Sequence, residues 1–107
     1  MSEQRRRHFR LKYPIPMRPP IEIDGNVFSV IDASEAGLRL RRISSRYPKR
    51  GTRVTGQIEF SDGDRVEVVG YVLRVTDQGD CVLVLDKGIP RKRMLAEQRR
   101  MIQKNRV

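Results

Sequence analysis

Short runs of β-branched and aliphatic residues recur along this chain, and turns rich in glycine and aspartate separate them. Ile21 to Ile23 and Val27 to Ile31 flank Asp24-Gly25-Asn26. Thr52 to Phe60 ends in Ser61-Asp62-Gly63-Asp64, and Arg65 to Thr76 ends in Asp77-Gln78-Gly79-Asp80, which leads into Cys81 to Leu85. A run of this length gains little alone, and each turn folds the chain back beside its predecessor. Spacing this regular therefore predicts an antiparallel barrel. Gly37 to Arg42 adds a strand in which Leu38 and Leu40 face one way and Arg39 and Arg41 the other, towards water. Gly56 reads as a bend or bulge, and Gly70 as a kink where a curved sheet closes. Pro14, Pro16, Pro19 and Pro20 keep residues 13–20 extended and helix-free, as an edge strand or connecting arm.

The period changes near the C-terminus. Pro90 stands at a first helical position, and Arg91 to Asn105 contains neither glycine nor a further proline. Met94, Leu95, Met101 and Ile102 fall on one stripe of an amphipathic helix of roughly four turns, read as a cap on one barrel mouth. The organisation expected is a single domain over 1–107, with a basic arm at 1–12, a barrel at 13–87 and a helical segment at 88–107.

Charge is concentrated at the two ends. The chain carries 23 basic and 13 acidic residues, a net +10. Residues 1–12 hold +4 and residues 87–107 hold +7, while 13–86 is close to neutral at −1. A neutral body with basic ends predicts an anionic partner. Enzyme chemistry finds little support. The single cysteine, Cys81, and the single histidine, His8, exclude an internal disulfide and most metal and triad arrangements. Asp62-Gly63-Asp64 lacks the spaced oxygen ligands of a calcium loop. Ser34 stands outside any G-x-S-x-G turn, and no glycine-rich phosphate loop is present. No apolar run approaches a membrane span, no secretory signal precedes the arginines, and a cytoplasmic location is expected.

Two patterns remain. Arg6 and Arg10 form R-x-x-x-R within Arg5-Arg6-Arg7-His8-Phe9-Arg10. Asp32-Ala33-Ser34-Glu35-Ala36-Gly37 reads D-x-S-x-x-G between two strand runs. In this order and separation, followed by Gly37-Leu38-Arg39-Leu40, by Gly70-Tyr71-Val72-Leu73-Arg74-Val75 and by a basic helix, the chain resembles the PilZ domain family over essentially its whole length. The resemblance implies a six-stranded antiparallel β-barrel with a C-terminal helix. It also implies a non-catalytic receptor for the bacterial second messenger cyclic di-GMP, with no other cofactor.

The residues suit that ligand. An arginine fork matches guanine O6 and N7, or stacks on the purine face. Arg6 and Arg10 can take opposite sides of the ligand, Asp32 can accept from guanine N1–H and N2–H, and Ser34 can serve a phosphate or its own turn. Gly37 removes a Cβ where the chain turns beside the ligand. The resemblance places Arg5, ahead of R-x-x-x-R, with a stacked pair of ligands, two per chain. Arg7, Arg39 and Arg74 are further candidates. Ligand would order the N-terminal arm against the barrel and create a surface for a downstream protein. Two other readings stay open: a small basic barrel that binds nucleic acid, for which 6% aromatic residues and no tryptophan make a thin stacking platform, and a ligand-free interaction adaptor.

Overall fold

The computed structural model describes residues 10–42 and 48–105. Seven strands run β1 (Leu11–Lys12), β2 (Pro20–Ile23), β3 (Asn26–Ala33), β4 (Gly37–Arg42), β5 (Arg53–Glu59), β6 (Arg65–Val75) and β7 (Asp80–Lys87), followed by the helix α1 (Arg91–Asn105). Every pairing is antiparallel. The order is β3-β2-β5-β6-β7-β4, and β4 pairs back onto β3. Six strands therefore close a barrel, as the resemblance implies. The two-residue β1 lies beside the second half of β3, with Lys12 opposite Asp32, while β2 takes the first half.

Local chemistry explains the register. Asp24 and Gly25 both have positive φ, 52° and 80°, between the paired residues Ile23 and Asn26. A two-residue turn of that kind matches the twist of the strands it joins. Alternation then fills the interior: β5 buries Val54, Gly56 and Ile58 while its intervening residues are exposed. A one-residue slip would put all three in water. Gly70 is buried where β6 slips register against β7, and a Cβ there would strike the carbonyl of Val84. A register shift stands where the sequence suggested a kink. The proline segment differs from its expectation. Pro20 opens β2, which lies between β3 and β5 rather than at an edge, and Ile15–Met17 forms a single 3-10 turn.

The helix docks on Tyr13 and the β5–β6 turn, but not with the stripe the sequence suggests. Met94 and Met101 are buried, whereas Leu95 and Ile102 are 43% and 51% exposed. The third buried position is Glu97, 1% exposed. Pro90 stands one residue before the helix, its carbonyl accepting from the Met94 N–H at 3.0 Å. Arg91, Lys92 and Arg93 then occupy a first turn without acid, which opposes the helix dipole. Docking compensates. Arg93 donates to Asp62, Asp64 and Glu97 at 2.8, 3.3 and 2.9 Å and lies 4.3 Å from the Phe60 ring centroid. Glu97 accepts from the Tyr13 hydroxyl at 2.7 Å and from Arg100 at 3.0 Å. Burial alone would raise the Glu97 carboxyl, but hydrogen bonds from Arg100, Tyr13 and Arg93 outweigh it and hold it below the ordinary carboxylate value. Burial, then the bond to Glu97, pushes the Tyr13 phenol far upward.

Candidate nucleotide-binding site

A bulge sets the first site residue. Val30 pairs with Leu40 but Asp32 with Arg39, so Ile31 is an extra residue on β3. A bulge re-aims the side chains around it. Asp32 is left 5% exposed, and Arg10 donates to its Oδ1 at 3.3 Å. The Arg10 side chain is 67% exposed and that of Asp32 only 7%, so the arginine lies over a recessed carboxylate. The last arginine of R-x-x-x-R and the aspartate of D-x-S-x-x-G thus meet across 22 positions. Arg5, Arg6 and Arg7 lie outside the described residues.

Ser34 and Gly37 build the loop after β3. The Ser34 Oγ accepts from the Ala36 N–H at 3.3 Å, and the Ser34 N–H donates to the Gly37 carbonyl at 2.9 Å. Ser34 therefore serves its own turn, one of the two roles open to it. Gly37 has no positive φ among the described residues. Its lack of a Cβ matters for a different reason than a tight turn, because an added Cβ would stand 3.1 Å from the Leu83 carbonyl of β7. The loop is also pinned from behind. The Leu85 N–H donates to the Ala36 carbonyl at 2.9 Å, and a Cβ on Gly88 would collide with the Glu35 carbonyl.

Arg39 and Arg41 do not simply face water. Arg39 Nε donates to Asp80 Oδ2 at 3.0 Å and its Nη2 to Gln78 Oε1 at 3.0 Å, while Arg41 Nε reaches Asp80 Oδ1 at 2.9 Å. Asp80, read from sequence as a turn residue, is the first residue of β7 and 2% exposed. Burial would raise its carboxyl, but the bonds from Arg41 and Arg39 prevail and hold it low. Between these groups and Asp32 runs an open groove of about 320 Å³, lined by Lys12, Tyr13, Arg18, Ile31, Asp32, Arg39, Gln78 and Asp80. Arg74 is exposed on β6 opposite Val82, which in turn pairs with Arg39. Two strand spacings, roughly 10 Å, separate Arg74 from Arg39.

Sequence reasoning missed Asp80, Arg18 and Glu97. Glu97 carried a signal, as the lone acid among eight basic residues of 87–107, three positions after Met94 and four before Met101. Asp80 carried less, since the glycine before it made the whole stretch read as turn.

A closed antiparallel barrel in which Arg10 overlies a recessed aspartate beside an open polar groove defines a small barrel domain. The PilZ domain model matches residues 4–101, and the chain belongs to that family, whose members are non-catalytic binding domains. Among solved structures, an uncharacterised Legionella protein is similar with a TM-score of 0.59 and 21% identity, covering 92% of this chain and 99% of that one. YcgR from Escherichia coli, solved in complex with c-di-GMP, is similar with a TM-score of 0.56 and 15% identity. That match covers 95% of this chain and 46% of YcgR, so the chain spans about half of it. At these identities the likeness is one of fold. No curated protein matches the chain. Among the described residues no helix is long and apolar enough to cross a membrane.

Proposed function

We propose that this chain is a non-catalytic receptor for cyclic di-GMP, acting in a bacterial cytoplasm on a downstream protein. The observation that carries the reading is the meeting of Arg10 with Asp32 at 3.3 Å, in a chain whose PilZ match spans both motifs. In this reading the Arg10–Asp32 pair opens to admit a guanine. Asp32 accepts from its N1–H and N2–H, and Arg10 and Arg6 take O6 and N7 or stack on the ring. The Ser34 to Gly37 loop borders a phosphate, and the arm folds down over the ligand to form a composite surface.

Arg5 brings a third guanidinium to a stacked pair of ligands, since pairing two dianions requires further positive charge. The stoichiometry is then two per chain. Calorimetry with cyclic di-GMP, GTP and cyclic di-AMP tests the reading. Arg6→Ala, Arg10→Ala and Asp32→Ala each weaken cyclic di-GMP binding by roughly 5- to 150-fold, the cost of a lost bidentate contact. Arg5→Leu shifts the ratio from two towards one. Parent-like affinity in all three alanine variants refutes the site, and a ratio of one for the parent at saturating ligand refutes the pairing.

A further inference from the structure

Asp80 is the most deeply buried acid outside the helix contact, 2% exposed, and neither sequence motif includes it. Its Oδ2 holds Arg39 and its Oδ1 holds Arg41, and its own N–H donates to Thr76 Oγ1 at 3.0 Å. The two arginines have different surroundings. Arg39 lines the groove beside Asp32, with its side chain 31% exposed, while Arg41 lies outside that groove and is 50% exposed. Asp80 and Gln78 engage two of the five N–H donors of Arg39, which leaves three for another acceptor.

The groove has the charge of an anion site. Lys12, Arg18 and Arg39 reach it from three separate stretches of chain. The acids there are already engaged, Asp32 by Arg10 and Asp80 by Arg39 and Arg41. Arg18 Nε is buried and has no hydrogen-bond partner, although a buried donor left unpaired is costly. We propose that Asp80 is a positioning residue of the nucleotide site, holding Arg39 in the groove beside Asp32 so that its open donors receive a phosphodiester of the bound cyclic dinucleotide. The inference rests on the reading of Asp32 and Arg10 as that site. The physical gain is preorganisation. A free arginine loses rotamer freedom when it captures a phosphate, whereas one already fixed at Nε loses little.

A double-mutant cycle at 0.15 M salt and 10 °C tests this, with cyclic di-GMP as titrant and circular dichroism to verify folding. Arg39→Ala weakens binding by about tenfold or more, as expected for a charge-assisted contact, and Asp80→Asn by about tenfold. Asp80→Asn placed on Arg39→Ala adds less than about twofold, because the group being positioned is already gone. Arg41→Ala breaks the other half of the Asp80 cluster and leaves affinity within about twofold, which a merely structural role would not. Gln78→Ala, in an exposed turn, weakens binding by about threefold and decides the matter with Arg39→Ala if Asp80→Asn does not fold. Losses that multiply in the double variant overturn the inference, as do Arg39→Ala and Asp80→Asn binding like the parent while Arg10→Ala and Asp32→Ala lose affinity. A parent protein that binds no cyclic di-GMP overturns the functional reading and this inference together.

Discussion

Replacing Glu97 by alanine removes the carboxylate on which the helix is seated. Four bonds disappear, from the Tyr13 hydroxyl at 2.7 Å, Arg93 at 2.9 Å and two from Arg100 at 3.0 and 3.3 Å. Tyr13 is 4% exposed, so its hydroxyl is left buried without an acceptor, at about 1–3 kcal/mol. Arg93 and Arg100 both lose the carboxylate between them, and breaking a buried ion pair costs about 3–5 kcal/mol. Arg93 keeps Asp62 and Asp64, and the Arg100 side chain is 24% exposed. The ion-pair loss therefore falls below that range, to about 1.5 kcal/mol, and with about 1.5 kcal/mol at Tyr13 the total is about 3 kcal/mol. An unfolding entropy of about 2.1 cal/mol/K per residue gives about 0.22 kcal/mol/K for this chain, and a fall in Tm of about 13 °C. Thermal unfolding at pH 7, followed by circular dichroism, measures it. Tyr13→Phe loses one bond to a charged acceptor, about 1.5 kcal/mol, or about 7 °C. The double variant falls short of the sum, because the two groups share one bond. A Glu97→Ala protein melting within 3 °C of the parent (about 0.7 kcal/mol), or strict additivity with Tyr13→Phe, refutes the reasoning.

Acid unfolding follows the same groups. Glu97 and Asp80 are both held below ordinary carboxylate values when folded, so the unfolded chain takes up protons first. Their stabilisation is complete above the unfolded value of about 4–4.5 and is lost as pH falls through the lower folded values. Tm should drop steeply below pH 4, and less steeply in Glu97→Gln. Gly88→Ala drives a methyl into the Glu35 carbonyl and should cost about 1–3 kcal/mol in chemical denaturation; an unchanged midpoint refutes that close approach. Cys81 is 1% exposed, and burial pushes its thiol up to about 11. It should resist a disulfide reagent at pH 8 until the protein is unfolded, and prompt labelling contradicts the packing.

The sequence made the barrel legible because turn and strand chemistry are local. Asp24-Gly25 specifies its hairpin whatever lies beyond it, and the alternation of Leu38 with Arg39 needs only near neighbours. The D-x-S-x-x-G pattern of Asp32, Ser34 and Gly37 could be read for a similar reason, since its spacing is fixed along a few residues. What escaped depends on distant partners. Arg39 on its own strand looks like any solvent-facing arginine; only the pairing of β4 with β7 brings it to Asp80, 41 positions away. The helix stripe was misjudged because apolar spacing alone cannot weigh a charged residue that finds its counter-ions at the docking face. Glu97 displaced Leu95 and Ile102 from the interface by bringing hydrogen bonds with it.

Gly88 lies where the sheet ends and the helix is about to begin, against the backbone of the loop that carries Ser34 and Gly37. With the Leu85–Ala36 bond just before it, this makes the loop and the foot of the helix a single joint. A force applied at one side has no soft material to absorb it before it reaches the other. A displacement of that loop would therefore be felt at the start of the helix.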